Sequence, residues 1–171
     1  MTDSVHSLSG RSIITGLKSA GVRFVLSVPD ITTSEGLLRP ISEDGDLRLV
    51  RVCKEDEGVS VCAALSFCDQ RAVLLMQQTG LMDSLNALRA IALDYCNPVC
   101  MLIGLLGKDP AVPPARSEKL GVRVIQPILD AMGIRHLMLD TDDDLPDCLS
   151  AIDEAYQSSR PVAILLGRSP T

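Results

Sequence analysis

Residues 71–80 read Arg-Ala-Val-Leu-Leu-Met-Gln-Gln-Thr-Gly, and this segment gives the clearest indication of the fold class. The run Val73-Leu74-Leu75-Met76 is apolar on both faces, which is typical of a strand buried inside a parallel sheet. Residues 162–166, Val-Ala-Ile-Leu-Leu, have the same character. The residues at 77–80 are polar and end in glycine, which predicts a turn after the strand.

Helical and strand patterns alternate along the rest of the chain. We predict strands over residues 22–28, 47–53, 71–76, 98–106, 135–139 and 161–166. We predict helices over residues 12–20, 34–42, 55–69, 83–94, 122–132 and 142–157. This alternation is the pattern of βαβ units, in which helices cover both faces of the sheet. The sequence therefore predicts a single α/β domain over residues 1–171, a three-layer α/β/α arrangement around a six-stranded, mostly parallel sheet.

The composition restricts what the chain can bind. Sixteen Lys and Arg residues against 22 Asp and Glu give a net charge of −6, whereas nucleic-acid binding needs clustered cations. Two Tyr, two Phe and no Trp offer little surface for stacking bases. No apolar run reaches the roughly 18 residues of a membrane span, and residues 1–11 lack the apolar core of a signal peptide. We therefore expect a cytoplasmic protein with no nucleic-acid or membrane partner.

The cysteines indicate a reducing environment. None of them forms a C-x-x-C pair, and with only His6 and His136 available a zinc site has few ligands. We interpret the six cysteines as buried thiols, with a disulfide framework as the less favoured alternative, and expect no metal site in this chain. They are Cys53, Cys62, Cys68, Cys96, Cys100 and Cys148.

Ligands of parallel α/β sheets bind in the loops that follow the carboxyl ends of the strands. The loops to inspect are therefore residues 29–35, 54–58, 77–85 and 104–117. The first strand is not followed by G-x-G-x-x-G, which excludes the Rossmann fingerprint. The stretch Gly104–Asp109 lacks the spacing and the Ser or Thr of a P-loop, and no G-x-S-x-G is present.

Glu57 is the first candidate in these loops. It belongs to Lys54-Glu55-Asp56-Glu57-Gly58, which follows a strand and opens a helix. A solvated helix N-terminus is the simplest interpretation of these charges. However, small and apolar residues follow Glu57 directly, so its carboxylate could face a pocket in which burial raises its pKa.

Polar residues after two other strands are further candidates. The adjacent amides of Gln77 and Gln78 could bind the edge of a ligand ring, or residues 77–80 could form a polar turn in which Gly80 supplies an unusual backbone conformation. Asn86 lies inside a predicted helix, where Asn is unfavourable, and it either bonds locally or ties down that turn. Asp30 follows Pro29, where a turn-forming role is the simplest interpretation.

Four motifs in this order resemble the pyrimidine-binding (PYR) domain of thiamine diphosphate enzymes. They are Val28-Pro29-Asp30, Glu55–Val59, Met76–Leu81 and Asn86-Ala87-Leu88, each after its strand. The resemblance extends from about residue 12 to residue 166. It implies a flavodoxin-like topology and a subunit of a 2-oxo acid decarboxylase.

The resemblance also implies a role for each candidate. Glu57, and not Glu55, would hydrogen-bond N1′ of the cofactor's aminopyrimidine and act as the catalytic carboxylate. Asp30 and Asn86 would lie at the substrate end of the site. The cofactor-binding set would be Glu57, Gln77, Gln78, Thr79 and Gly80.

Half of such an active site is missing from these motifs. The family needs Gly-Asp-Gly followed by Asn to hold Mg²⁺ and the diphosphate, whereas Asp44-Gly45-Asp46 has no suitable Asn after it and is interpreted as a turn. The resemblance therefore implies a beta subunit that carries the diphosphate- and Mg²⁺-binding domain. Thiamine diphosphate would be shared between the subunits, the chain alone would be inactive, and self-association is expected.

The substrate implied by the resemblance is a small acidic 2-oxo acid. We expect 3-sulfopyruvate, which would give sulfoacetaldehyde and CO₂, with phosphonopyruvate or another acidic 2-oxo acid as the alternative. The family usually has Gln-Asn-Ser-Gly at positions 77–80 and often Pro-Asp-Ser at 29–31, so the departures here bear on substrate identity. A non-catalytic, flavodoxin-like binding or regulatory module is the alternative from a different class.

Overall fold

The structure is a computed structural model that describes residues 7–171. Its six strands are β1 (Val22–Ser27), β2 (Arg48–Arg51), β3 (Arg71–Gln77), β4 (Cys100–Gly104), β5 (Arg135–Leu139) and β6 (Val162–Leu166). They form one sheet in the order β2-β1-β3-β4-β6-β5. Every neighbouring pair is parallel, so the sheet predicted as mostly parallel is parallel throughout. The order begins 2-1-3-4 as in flavodoxin-like folds, and β6 then lies between β4 and β5.

Helices cover both faces of this sheet and confirm the three-layer α/β/α arrangement. They are α1 (Gly10–Ser19), α2 (Arg39–Glu43), α3 (Glu55–Phe67), α4 (Gln78–Asp83), α5 (Leu85–Ala87), α6 (Leu120–Arg123), α7 (Ile125–Met132) and α8 (Leu145–Ser158). Two π-helical segments, Ser34–Leu38 and Leu88–Asp94, and two 3₁₀ turns, Pro114–Arg116 and Asp142–Asp144, complete the described elements. One face of the sheet packs against α1, α2 and α8, and the other against α3, α4, α6 and α7.

The central strand has the two-faced burial that its sequence predicts. Val73 and Leu75 belong to the core on one face, while Leu74 and Met76 belong to the core on the other. All four side chains have no exposed surface. Burial of both faces stabilises the sheet because each large aliphatic side chain contributes about 1.5–3 kcal/mol when it is removed from water.

The segment after β3 differs from its predicted form. Residues 77–80 were predicted as a turn, but β3 continues through Gln77 and α4 begins at Gln78. The unusual backbone conformation expected for Gly80 is absent, since the left-handed glycines of residues 7–171 are Gly21, Gly107 and Gly133. The helix predicted over residues 83–94 is divided at Ser84, whose N–H donates to the carbonyl oxygens of Gly80 and Leu81 as α4 ends.

The interpretation of all six cysteines as buried is wrong for three of them. Cys62, Cys100 and Cys148 are buried, and Cys53, Cys68 and Cys96 are exposed; all six are free thiols. The exposed three lie in connections, one after β2 and two between a helix and the strand that follows it. Apolar residues flank these positions, but the connection itself lies at the surface.

His6 lies outside residues 7–171, and within that range no group of three or more His, Cys, Asp or Glu residues could hold a metal ion. In the same part of the chain, no helix combines the length and apolar character that crossing a bilayer requires.

The buried thiols make the fold sensitive to alkali. Burial raises the pKa of Cys148 to about 11 and that of Cys100 to about 12, from an ordinary value of 9.0, and it also raises the pKa of Cys62. The folded state therefore keeps these protons after the unfolded chain has lost them. The resulting stability is complete below pH 9 and is lost as the pH rises through the folded-state pKa values.

We expect the free energy of unfolding to fall above about pH 9, by roughly 1–2 kcal/mol per pH unit for each buried thiol. Urea titrations at pH 8, 9, 10 and 11 measure this slope. A Cys100→Ala variant should have a shallower slope, whereas the exposed Cys53→Ser control should keep the wild-type slope. A stability that stays constant between pH 9 and pH 11 would contradict the assignment.

Candidate functional site

The topology brings three of the four motifs to one edge of the sheet. Strands β1 and β3 are parallel neighbours, with Ser27 opposite Leu75, so the segments that follow them emerge side by side. The chain after β2 also lies beside β1, since Val52 N–H donates to Ser27 O over 3.1 Å. The strand order changes direction between β1 and β3, and ligands of open α/β sheets bind at such a switch point.

Glu57 lies in the first turn of α3, and its carboxylate turns back to cap that helix. Glu57 Oε2 accepts from Cys53 N at 2.9 Å and from Lys54 N at 3.4 Å. Negative side chains at this end also interact favourably with the helix dipole. The residue is exposed, which agrees with a solvated helix N-terminus and not with a carboxylate buried in a pocket. Within residues 7–171, no donor reaches its other oxygen, Oε1. One carboxylate oxygen therefore caps α3, and the other remains available to a ligand.

Glu55, two residues earlier, lies over the start of α4 instead. A Cβ atom on Gly80 would collide with Glu55 Oε1 and lie 2.5 Å from its Cγ and Cδ. Glycine at position 80 therefore makes room for a carboxylate side chain, and this is the physical reason for the residue. The sequence analysis missed this contact because nothing in the local pattern places α3 against α4.

The two adjacent amides point to different surroundings. Gln77 is half-buried, and its Nε2 donates to Oγ1 of the exposed Thr79 at 3.2 Å. Gln78 is only 5% exposed, and both the oxygen and the nitrogen of its amide bond the loop after β4. It accepts from Leu106 N at 2.8 Å and donates to Leu106 O at 3.3 Å. Gln77 and Thr79 thus face the open edge, whereas Gln78 holds a neighbouring loop in place.

Asp30 has the turn-forming role that its position after Pro29 indicates. Its Oδ1 accepts from Thr32 N at 2.7 Å and Thr33 N at 3.0 Å, and its Oδ2 accepts from Thr33 Oγ1 at 2.5 Å. Both threonines pack against Gly104 at the end of β4. The loop therefore crosses the carboxyl end of β3 and leaves Ile31 78% exposed.

Asn86 lies on a helix that packs against α3 and α4, but within residues 7–171 its side chain forms no hydrogen bond with the other candidates. It lies on the exposed side of α5, where its Oδ1 accepts from Arg89 Nε at 3.2 Å and from Arg89 Nη2 at 3.1 Å. This is the local bonding that the sequence left open as one of two roles.

The turn that was predicted for Asp44-Gly45-Asp46 is present, because Asp44 Oδ1 accepts from Asp46 N and Leu47 N.

Several known proteins that are similar to this chain are named as a sulfopyruvate decarboxylase or as its alpha subunit. The chain is 26% identical over 164 residues to the sulfopyruvate decarboxylase subunit alpha of Methanococcus maripaludis. The aligned segment covers 92% of this chain and 93% of that protein. The chain is 27% identical over 155 residues to the protein of the same name from Methanocaldococcus jannaschii, which covers 90% of each.

A third relative has a longer chain. It is named sulfopyruvate decarboxylase, comes from Methanosarcina acetivorans, and is 25% identical over 149 residues, which are 87% of this chain and 37% of that protein. No family profile matches the chain. The expected relationship to a subunit of a 2-oxo acid decarboxylase is nevertheless confirmed, because over 90% or more of its length the chain is similar to the alpha subunits of sulfopyruvate decarboxylases.

Proposed function

We propose that the chain is the alpha subunit of a thiamine diphosphate-dependent decarboxylase that converts 3-sulfopyruvate to sulfoacetaldehyde and CO₂. One observation carries the proposal: the similarity extends over at least 90% of both this chain and two proteins named sulfopyruvate decarboxylase subunit alpha. The position of Glu57 and residues 77–80 at one edge of the sheet supports it.

The residues at this edge fit the pyrimidine half of the cofactor. A ring nitrogen needs a carboxyl group with an oxygen that is not already bonded, and Glu57 Oε1 meets that requirement. Gln77 and the exposed Thr79 offer hydrogen-bonding groups on the neighbouring strand end. Gln78 would act through Leu106 rather than by direct contact, since its side chain is buried and both ends of its amide bond the Leu106 backbone.

Each of these residues would have a distinct task. When bound, thiamine diphosphate supplies the electron sink that decarboxylation of a 2-oxo acid requires. Glu57 would hold a proton at Oε1 against the pyrimidine ring, while its Oε2 stays anchored to the start of α3. The apolar tip of the β1 loop, Ile31, would help exclude water from the site.

A partner subunit would complete the site. The resemblance implies that Mg²⁺ and the diphosphate would be held by the other chain. Among residues 7–171, no group of three or more His, Cys, Asp or Glu side chains could hold a metal ion. The Methanosarcina acetivorans protein is matched over only 37% of its length, so it carries further sequence outside the part similar to this chain. Exposed Ile31, Leu106 and Leu120 give the carboxyl edge an apolar surface that a partner would cover.

The proposal is tested by purifying the tagged chain from its native lysate with Mg²⁺ and thiamine diphosphate present. We expect a partner with a Gly-Asp-Gly…Asn motif to co-purify, and the complex to release CO₂ from 3-sulfopyruvate faster than from phosphonopyruvate or pyruvate. The chain alone should be inactive. A chain that binds no partner, releases no CO₂ and is unaffected by the cofactor would overturn the proposal in favour of a non-catalytic, flavodoxin-like module.

A further inference from the structure

The loop between β4 and α6 encloses a cavity of about 390 Å³ at the carboxyl edge of the sheet. Its lining includes Gly107, Val112, Arg116, Ser117 and Lys119, together with the carboxylates of Asp109 and Glu118. The whole segment 107–123 contains four cations and two carboxylates, in a chain whose net charge is −6. This part of the molecule therefore has the opposite charge balance to the rest.

Two of these cations have no partner of their own. Within residues 7–171, neither the Arg116 guanidinium nor the Lys119 ammonium forms an ion pair or a hydrogen bond. Lys108 differs, because its side chain is 3% exposed and its ammonium lies 3.6 Å from Asp140 Oδ1. An arginine and a lysine left unpaired at one cavity are suited to an anion, since the guanidinium offers a planar fork and the ammonium a compact charge.

The Lys119 side chain lies against the backbone of Gly107. Gly107 has a φ of +76°, a left-handed conformation that favours glycine. A Cβ atom there would also collide with Lys119 Nζ and lie 2.8 Å from its Cδ and Cε. Glycine at position 107 thus allows the lysine side chain to lie flat against the loop, with its charge at the rim of the cavity.

The carboxylates of the cavity are partly occupied by the loop itself. Asp109 Oδ1 accepts from Ala111 N at 2.9 Å, so one oxygen of that carboxylate stabilises a turn. Arg123 Nη1 donates to the carbonyl oxygen of Ser117 at 2.6 Å, which adds a third positive charge beside the cavity wall. Within residues 7–171, neither Asp109 nor Glu118 forms an ion pair with Arg116 or Lys119, so the two cations remain available to a ligand.

The cavity adjoins the predicted cofactor edge. Leu106, the residue before Gly107, exchanges two hydrogen bonds with the amide of Gln78. Gly121, two residues after Lys119, approaches Gln78 Nε2, which would be 3.9 Å from a Cβ atom on that glycine. The second acidic group of a 3-sulfo or 3-phosphono 2-oxo acid is two bonds from its keto carbon, so the residues that bind it must adjoin the cofactor.

We propose that Arg116 and Lys119 bind the second anionic group of the substrate, a sulfonate or a phosphonate, in the cavity of the β4–α6 loop. This rests on the proposed function, and it assigns substrate specificity to the alpha chain. Both groups present three oxygen acceptors around a tetrahedral centre, which matches one forked and one compact donor. Pyruvate lacks that group and gains nothing from either cation.

The test compares substrates with and without the second anion in the complex of this chain with its partner subunit. We expect Arg116→Gln and Lys119→Gln each to raise the KM for 3-sulfopyruvate roughly ten-fold, and the double variant to raise it about a hundred-fold. The kcat/KM for pyruvate should not change. Arg160→Gln, an exposed arginine between α8 and β6 at the opposite edge, is the matched control. A lower KM for phosphonopyruvate than for 3-sulfopyruvate would still support the site and would show that it prefers a phosphonate to a sulfonate.

A direct binding measurement separates this proposal from the proposed function. The ¹⁵N-labelled chain is titrated with sulfoacetate, phosphonoacetate and acetate while the Arg116 side-chain and Gly107 backbone signals are followed by NMR. Shifts with sulfoacetate or phosphonoacetate, absent with acetate and in the double variant, support the site even if the complex releases no CO₂. The proposal would be overturned if the variants lost kcat/KM equally for 3-sulfopyruvate and for pyruvate. It would also be overturned if none of the three acids shifted the NMR signals.

Discussion

Replacing Glu57 with glutamine is expected to lower CO₂ release by the complex by roughly 10²- to 10⁴-fold, the usual range for losing an acid–base group. An amide cannot hold and return a proton at the position of Oε1. Its oxygen can still accept from Cys53 N and Lys54 N, so the start of α3 should remain capped. Steady-state CO₂ release measures the effect on activity, and urea unfolding should change by less than about 1 kcal/mol.

Glu55→Gln is the matched control for this experiment. Glu55 lies in the same helical turn and has the same chemistry, but its carboxylate packs over Gly80. We expect the rate to fall less than ten-fold in this variant. If Glu55→Gln lost more activity than Glu57→Gln, the catalytic carboxylate would be Glu55, and the role that the resemblance gives to Glu57 would be wrong.

Gly10→Ala is expected to destabilise the fold by about 2–3 kcal/mol or to prevent folding. The added Cβ atom would collide with the carbonyl oxygen of Gly36 and lie 2.7 Å from its carbonyl carbon. Both atoms belong to the backbone, so no side chain can move aside. Alanine favours helix formation over glycine by up to about 1 kcal/mol, which is too little to offset the collision. Urea unfolding of the two proteins measures the difference.

Two other glycine substitutions test this explanation. Gly36→Ala should also destabilise the fold, because its Cβ atom would collide with the carbonyl oxygen of Pro170. Gly45→Ala should change stability by less than about 0.5 kcal/mol, since no atom lies within 4 Å of its Cβ position. If Gly45→Ala lost as much unfolding free energy as Gly10→Ala, the close packing of the backbone at Gly10, Gly36 and Pro170 would not be the cause.

Much of the architecture could be predicted because its signals are local. The run at residues 73–76 is apolar on both faces, so it indicates a buried strand without any knowledge of its neighbours. The glycines at 21 and 133 end helices in the left-handed conformation that few other residues adopt. In contrast, the division of the predicted helix at Ser84 and the place of β6 between β4 and β5 depend on packing between distant segments. Periodicity contains no information about such contacts.

The same contrast between local signals and distant contacts applies to the candidate site. The sequence placed Asp30, Glu57 and residues 77–80 after strands, and parallel topology then brought them to one edge. It could not show that Gln78 turns inward, because that depends on Leu106, 28 residues away. Nor could it show which glutamate lies over Gly80. Side-chain direction at the ends of strands is set by the loops beside them, and these are remote in sequence.

The three exposed thiols give the protein its own set of spectroscopic labelling positions. Cys53 donates its N–H to Glu57 and so lies at the edge where a partner would dock. Cys68 and Cys96 precede β3 and β4 and lie at the opposite edge of the sheet. The buried thiols are protonated and inaccessible at neutral pH. When the other two exposed cysteines are replaced by serine, a fluorophore on Cys53 can therefore follow binding at the edge that holds Glu57, and a fluorophore on Cys68 or Cys96 serves as the reference.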